Sequence, residues 1–333
     1  MKTIIIAEAG VNHNGDLKKA LKMVNIAARA NADFIKFQTF IPENLAQSKL
    51  GLAQYQKKQV KYSSQLEMLK KLSLSFSDFK KIKKRCITKK IRFMSSPFDE
   101  ESVEFLNKLK VQYIKIPSGE ITNIPYLRKI GKLKKKIILS TGMSNLKEIR
   151  NAINLLTKSG TNKDKISILH CSTEYPATIE NLNLRSINYL SKKLKMKIGY
   201  SDHSIGYEAS LMAVSLGAKI LEKHFTINKN AKGPDHSSSL SPTELRNYIN
   251  KVRIFEKSLG KDTKKPNKKE LKNLNIIRKQ IVAKKNIKKG EKFTIFNITT
   301  KRAIKGVPAS NWDKVIGKKS KYTFKSGTNI KII

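Results

Sequence analysis

Eight short runs rich in β-branched and aromatic residues recur along the chain, and each is followed by a segment of helix length. They are TIIIAEAG (3–10), DFIKFQTF (33–40), RFMSSPF (92–98), YIKIPSG (113–119), KIILSTGM (136–143), ISILHCSTEY (166–175), KIGYSDHS (197–204) and KILEKHFT (219–226). Stretches between them, LKKALKMVNIAARANA and LKEIRNAINLLTKSG among them, carry apolar residues at i, i+3, i+4 and i+7, the stripe of an amphipathic helix. Eight strand–helix alternations predict an α/β fold, a (β/α)8 TIM barrel. A doubly wound open sheet usually has fewer strands and a glycine-rich turn after the first, which is absent here.

The remaining segments fit around that barrel. The longest gap, 41–91, holds a polar stretch and then the helical SQLEMLKKL, which predicts an extended loop over the barrel mouth. A helix after the eighth strand ends at Gly260, and the charged KDTKKPNKKELKN that follows reads as a linker. From about 276 the texture changes to short β-like pieces. The expected organisation is a barrel over 1–260, a linker over 261–275 and a small β-rich domain over 276–333.

Composition narrows the classes of function. The chain carries 69 Lys and Arg against 25 Asp and Glu, a net charge of +44, which alone suits nucleic acid, an acidic surface or an anionic substrate. Only ten of the 69 are Arg, however, and aromatics amount to 7%, with none interleaved in a basic run. Sequence-reading proteins favour the bidentate Arg fork and single-strand binders interleave aromatic rings, so no nucleic-acid partner is expected. The lysines lie mostly in helical segments and read as solvated faces. No run approaches the ~18 apolar residues of a membrane span. MKTIIIAEAG lacks the long apolar core of a signal peptide and reads as a first strand. Cys86 and Cys171 make neither a disulfide framework nor a zinc site, so a reducing cytoplasm is the expected compartment.

Catalysis in such a barrel occurs at the C-terminal ends of the strands. All five histidines, His13, His170, His203, His224 and His236, fall at or just after predicted strand ends. Strand alternation sharpens the choice. Lys36 and Gln38 share a face opposite to Phe37, Lys115 is opposed by Ile114 and Ile116, and Ser140 shares its face with Ile138. A lysine inside a packed barrel is costly unless it meets an anion. Lys36 and Lys115, with the hydroxyls of Ser96, Ser118, Ser140 and Ser201, are therefore candidates for a phosphate or carboxylate cradle. His203 and His224 close neighbouring strands and suit an exchangeable divalent metal with open positions. Glu8, Glu120 and Asp235, the last in GPDHSSSL (233–240), share that rim and are candidate acid/base groups.

AEAGVNHNG, KFQTF, SSPFD, KIPSGE, LSTGM, HCSTEYP, GYSDHS, EKHFT and GPDHSSSL, in that order and at barrel spacing, resemble the sialic acid synthase family. KKGEKF and NITTKRAIKGVPASNWDKVIGKK resemble that family's C-terminal antifreeze-like SAF domain, a β-clip. The similarity spans essentially the whole chain. It implies condensation of phosphoenolpyruvate with N-acetylmannosamine and water to give N-acetylneuraminate and phosphate. The alternative is the same chemistry on 2,4-diacetamido-2,4,6-trideoxymannose, giving N,N'-diacetyllegionaminate. A non-catalytic polyanion-binding protein on the same fold is the remote alternative.

The resemblance also implies roles for individual residues. The positions that match phosphoenolpyruvate contacts are Lys36, Ser96, Lys115, Ser118, Ser140, Thr173 and Ser201, with Thr173 standing where the family often has Asn. His203 and His224 match the two histidine ligands of a Mn2+ or Mg2+ ion. Glu8, Gln38, Glu120, Tyr175 and Asp235 match sugar-binding and acid/base positions, and Glu8, Glu120 and Lys115 are the expected catalytic groups. Arg302 matches the SAF arginine that reaches the sugar N-acetyl group across subunits, which implies a domain-swapped homodimer. Around it the chain reads KRAIKGV where the family usually has KRPGxGI, so Ala303 stands for Pro and frees that loop.

Overall fold

The structure, a computed structural model, describes residues 2–331. Met1, Ile332 and Ile333, the outermost residues of the two expected domains, lie outside the described residues. The chain divides into two compact units, one ending at Gly260 and one beginning at Lys261.

The first unit is the expected TIM barrel. Strands β1 (Ile4–Gly10), β2 (Phe34–Thr39), β3 (Arg92–Pro97), β4 (Tyr113–Ile116), β5 (Lys136–Ser140), β6 (Ile166–Cys171), β7 (Lys197–Asp202) and β8 (Ile220–His224) form a closed parallel barrel in sequence order. Pairing of β1 with β8 closes it. Helix α1 (Leu17–Arg29) joins β1 to β2, and the β2–β3 segment holds α2 (Pro42–Leu45), α3 (Gln54–Gln59), α4 (Gln65–Leu72) and α5 (Phe76–Thr88). Helices α6 (Glu100–Lys108), α7 (Ile124–Lys132), α8 (Leu146–Lys158), α9 (Ser186–Leu194) and α10 (Glu208–Ser215) follow β3 to β7 in turn, and α11 (Pro242–Leu259) follows β8.

The outer helices follow from their spacing and caps. Helix α1 buries Ala20, Met23, Val24 and Ala27, one stripe of a 3.6-residue period, and the Asp16 carboxylate caps its first turn by accepting from the Lys18 and Lys19 amides. Helix α8 repeats the scheme with Ile149, Ala152, Ile153 and Leu156 behind an Asn145–Glu148 capping box. Inside the barrel, Ile6, Phe34, Met94, Ile138, Leu169 and Ile220 form a sealed apolar layer. Gly199 on β7 faces that layer, where a Cβ would lie 2.5 Å from the Ile220 carbonyl oxygen, so only glycine lets the strands close here.

Several strands end earlier than their sequence runs. β4 stops at Ile116 because Ser118–Glu120 coil into a 3-10 turn, and β6 stops at Cys171, leaving Ser172–Tyr175 as loop. Side chains on those loops are placed by turn geometry rather than by strand alternation. Among the described residues no helix is long and apolar enough to cross a membrane.

The second unit begins with α12 (Lys268–Ile277), which occupies most of the stretch read as a linker over 261–275. Its first turn is dominated by lysines and its apolar residues, Leu271, Leu274, Ile276 and Ile277, come later, but an Asn267–Glu270 capping box starts it. A three-stranded antiparallel sheet follows, β9 (Lys279–Ala283) between β10 (Ile298–Arg302) and β11 (Val307–Pro308). It has a core of its own, including Ile281, Ile287, Phe293, Ile298, Val315 and Phe324.

Candidate active site

Two residues beyond the apolar layer, the same strands turn polar. Ile6, Phe34, Met94, Ile138, Leu169 and Ile220 are followed on the same face by Glu8, Lys36, Ser96, Ser140, Cys171 and Glu222, joined by Lys115 from β4 and Ser201 from β7. Barrel register then decides the neighbours: Glu8 lies beside Lys36 on one side and His224 on the other, and Ser201 lies beside Glu222. A cavity of about 570 Å³ opens above this layer. Met68, Leu69 and Leu72 of α4 line it too, so the long β2–β3 segment contributes an apolar wall to the site.

The floor of the cavity is a buried charge network. Lys36 Nζ lies 2.9 Å from Glu8 Oε1 and 3.6 Å from Glu222 Oε1, and Lys115 Nζ lies 3.4 Å from that same Glu222 oxygen. Lys36 also donates to Ser96 Oγ at 3.3 Å, and Ser201 Oγ donates to Glu222 Oε1 at 3.1 Å. The two carboxylates are driven apart. Burial opposes the charge of Glu222, but Lys115 and Lys36 hold its carboxyl down at about 2. Burial pushes Glu8 up to about 7 against the pull of Lys36, and the nearby Glu222 adds to the rise. One carboxylate thus stays ionised while the other is poised near neutrality, the division of labour of an acid/base pair. Burial likewise favours neutral Lys115 and lowers it, whereas Glu222 and Glu8 keep Lys36 above the ordinary lysine value in spite of burial.

Two imidazoles form the adjoining corner, their ring centroids 5.6 Å apart. His203 Nδ1–H donates to the Ser172 carbonyl, which leaves the Nε2 lone pair facing the cavity, 3.3 Å from Ser201 Oγ. Tyr175 stacks on this ring at 4.1 Å and meets His224 edge-on. His224 Nδ1 is buried with no hydrogen-bond partner and lies 4.0 Å from Asp235 Oδ2. Burial holds His203 down to about 4 and His224 well below its usual range, while it pushes Asp235 up to about 6. Gly10, at φ +52°, leaves room for the second ring: a Cβ there would lie 3.2 Å from His224 Cε1. Neutral rings with lone pairs available, one fixed by a backbone carbonyl behind it, are the donor chemistry a divalent metal needs. Among the described residues no group of three or more His, Cys, Asp or Glu is arranged to hold a metal. The protein would therefore supply two imidazoles and leave the other positions to water and substrate.

Most of the sequence-derived candidates converge. Glu8, Lys36, Gln38, Ser96, Lys115, Ser118, Ser140, Thr173, Tyr175, Ser201, His203, His224 and Asp235 all line the one cavity. Ser118 Oγ accepts from the Gly142 amide at 2.9 Å and sits 3.3 Å from Cys171 Sγ. One candidate of this unit does not join them. Glu120 is absent from the cavity wall and accepts instead from Asn123 Nδ2 at 2.6 Å. Arg302 is exposed on β10 of the second unit.

Of the five rim histidines only two face the cavity. His170 Nε2 is bonded to the Leu182 carbonyl at 2.7 Å, His236 joins Thr226 Oγ1 and Asn14, and His13 accepts from the Gly15 amide. The central residue that sequence reasoning missed is Glu222. Its signal was available: it stands two before His224 on β8 and must share its face.

Comparison with known proteins agrees with this architecture. The NeuB family model matches residues 23–264 and the SAF domain model matches residues 278–331. An N,N'-diacetyllegionaminic acid synthase of Campylobacter jejuni is 51% identical over 95% of this chain and 95% of its own length. A protein of the same name from Legionella pneumophila is 39% identical over 99% of this chain and 94% of its own. The crystal structure of an N-acetylneuraminic acid synthetase from Leptospira borgpetersenii, in complex with citrate, superposes with a TM-score of 0.72 at 32% identity, covering 83% of this chain and 93% of that one. The matching barrel, the matching C-terminal domain and identity sustained over nearly the full length make this chain a member of the NeuB family, an enzyme of the sialic acid synthase type that ends in a SAF domain.

Proposed function

We propose that the enzyme condenses phosphoenolpyruvate with 2,4-diacetamido-2,4,6-trideoxymannose and water to give N,N'-diacetyllegionaminate and phosphate. The observation that carries the chemistry is the joining, in one cavity, of two buried lysines to two neutral imidazoles. The choice of sugar rests on the similarity at 51% and 39% identity to proteins named for that product. N-acetylmannosamine, giving N-acetylneuraminate, is the second reading, supported by the Leptospira structure at 32%.

In this reading Lys36 and Lys115, with Ser96, Ser118, Ser140, Thr173 and Ser201, hold the phosphate and carboxylate of phosphoenolpyruvate. His203 and His224 hold a Mn2+ or Mg2+ ion. The chemistry such a metal supplies when bound is polarisation of the open-chain sugar's aldehyde. Gln38, Tyr175 and Asp235 orient the sugar. C3 of phosphoenolpyruvate bonds to the aldehyde carbon, and positive charge develops at C2, where the ionised Glu222 favours it electrostatically. Asp235 supplies the proton to the new hydroxyl oxygen. Water adds to C2 and Glu8 takes one of its protons on Oε2, the oxygen without a partner; the C2 hydroxyl then becomes the carbonyl as the C2–O bond to phosphate breaks, and its proton leaves with the phosphate. Arg302 serves the sugar N-acetyl group in a domain-swapped homodimer, and the two free, buried cysteines suit a reducing cytoplasm.

The test is phosphate release from phosphoenolpyruvate with Mn2+, comparing the two sugars with and without EDTA. Faster, EDTA-sensitive release with the diacetamido sugar is the expected result. Faster release with N-acetylmannosamine replaces it by the second reading, and silence with both overturns the two together.

A further inference from the structure

Behind the two histidines, on the outer face of the same strands, lies a second buried charged cluster that the chemistry above does not use. Asp202 precedes His203 and Lys223 precedes His224, so alternation turns both side chains away from the cavity, into the layer between barrel and helices. The β7–β8 register sets the two residues opposite each other. Lys223 Nζ lies 3.0 Å from Asp202 Oδ2, with side-chain exposures of 1% and 0%.

The other contacts of the pair converge on the turn that carries His203. Lys223 Nζ donates to the Ser204 carbonyl at 2.6 Å. Asp202 Oδ1 accepts from the Ser204 amide at 2.9 Å and from Ser204 Oγ at 2.6 Å. Asp202 Oδ2 accepts from Ser210 Oγ of α10 at 2.6 Å, and that hydroxyl accepts from Tyr248 of α11 at 3.3 Å. The same turn is held from the other side, where the Ala177 amide donates to the His203 carbonyl at 2.9 Å.

Stability does not call for charge here. Leu221, Ala213, Val214 and Leu245, on the same strand and the two helices that cover it, belong to the apolar core, and a buried ion pair in such a layer is commonly no better than a well-packed apolar pair. What an ion pair with its hydrogen bonds satisfied adds is direction, since it fixes atoms at set angles and distances where dispersion contacts do not. We infer that Asp202 and Lys223 are a positioning pair: they clamp the turn after His203 to the strand residue before His224, and so fix how the two imidazoles face each other. The inference rests on the reading of those imidazoles as metal ligands.

The test is direct Mn2+ binding to the full chain, by electron paramagnetic resonance of the free ion, for the parent, His224→Ala, Asp202→Asn and the double variant Asp202→Asn/Lys223→Met. The double variant removes both charges at nearly constant volume and retains a side-chain acceptor for Ser204. It is expected to melt within a few degrees of the parent and to bind phosphoenolpyruvate in the presence of EDTA with unchanged affinity. Its Mn2+ affinity is expected to fall ~10–100-fold, the usual scale for groups that orient metal ligands. Asp202→Asn alone is expected to fall in the same direction. Parent-like Mn2+ affinity in the folded double variant overturns the positioning role while leaving the metal site standing. Misfolding of both variants assigns the pair to stability and overturns it equally. A parent that binds no Mn2+, or binds it undiminished after His224→Ala, brings down the metal reading itself and this inference with it.

Discussion

Two layers of the same eight strands, one pleat apart, differ in everything but backbone. The lower layer, Ile6, Phe34, Met94, Ile138, Leu169 and Ile220, is sealed and apolar. The upper, with Glu8, Lys36, Lys115, Ser201 and Glu222, buries four ionisable side chains almost as completely. The lower layer gains free energy by leaving water. The upper gives some up, because an ion removed from water is only partly recompensed by its partner. The barrel therefore carries its stability low and its chemistry high on the same strands, and the first permits the second.

Truncating one residue in each layer separates the two roles. Phe34→Ala, in the lower layer, is expected to lose ~3–5 kcal/mol of stability in urea unfolding with turnover per folded molecule near the parent's. Lys115→Ala, in the upper, is expected to lose at least ~10²-fold in turnover while the fold survives, and Glu8→Gln belongs with it. Turnover of Lys115→Ala within a few-fold of the parent would remove that residue from the site.

A smaller effect concerns pH. Burial holds the Asp235 carboxyl at about 6 in the folded chain, above its ordinary 3.8, so the folded state retains the proton longer than the unfolded state does. Its contribution to stability is favourable at low pH and is lost as pH rises between those values. In EDTA, the melting temperature of Asp235→Asn relative to the parent should climb from pH 4 to 6 and then level off. A difference independent of pH would contradict this.

The smallest effect is at Glu120, which accepts from Asn123 and stands outside the cavity wall. Glu120→Gln is expected to change turnover by no more than a few-fold. A loss as large as that of Glu8→Gln would return the role of base to Glu120.

How much was legible depended on the local rule that places each side chain. Strand alternation was enough to turn Lys36, Lys115 and Ser140 inward, and helical spacing was enough for α1 and α8. Glu222 obeys the same rule, two residues before His224 on β8, but a glutamate there is also what a strand pairing with lysines would carry, so its type alone does not single it out. The loop residues were less accessible to periodicity: Glu120 turns away because Ser118–Glu120 coil into a 3-10 turn, and no repeat in the sequence encodes that. His170 and His236 sat at strand ends as expected, but backbone and hydroxyl partners occupy them. In α12 the lysines masked a helix that its capping box marks.

The floor of the cavity is balanced as built, two ammonium groups against two carboxylates. A substrate that brings a phosphate and a carboxylate upsets that balance and raises Glu8 further, so that bound molecules take up a proton there which Glu8 must release again before it can accept one from water. Capture of such an anion is then also capture of a proton from solution. The heat released on mixing would depend on which buffer gives that proton up, and the apparent affinity would weaken as the medium becomes more alkaline.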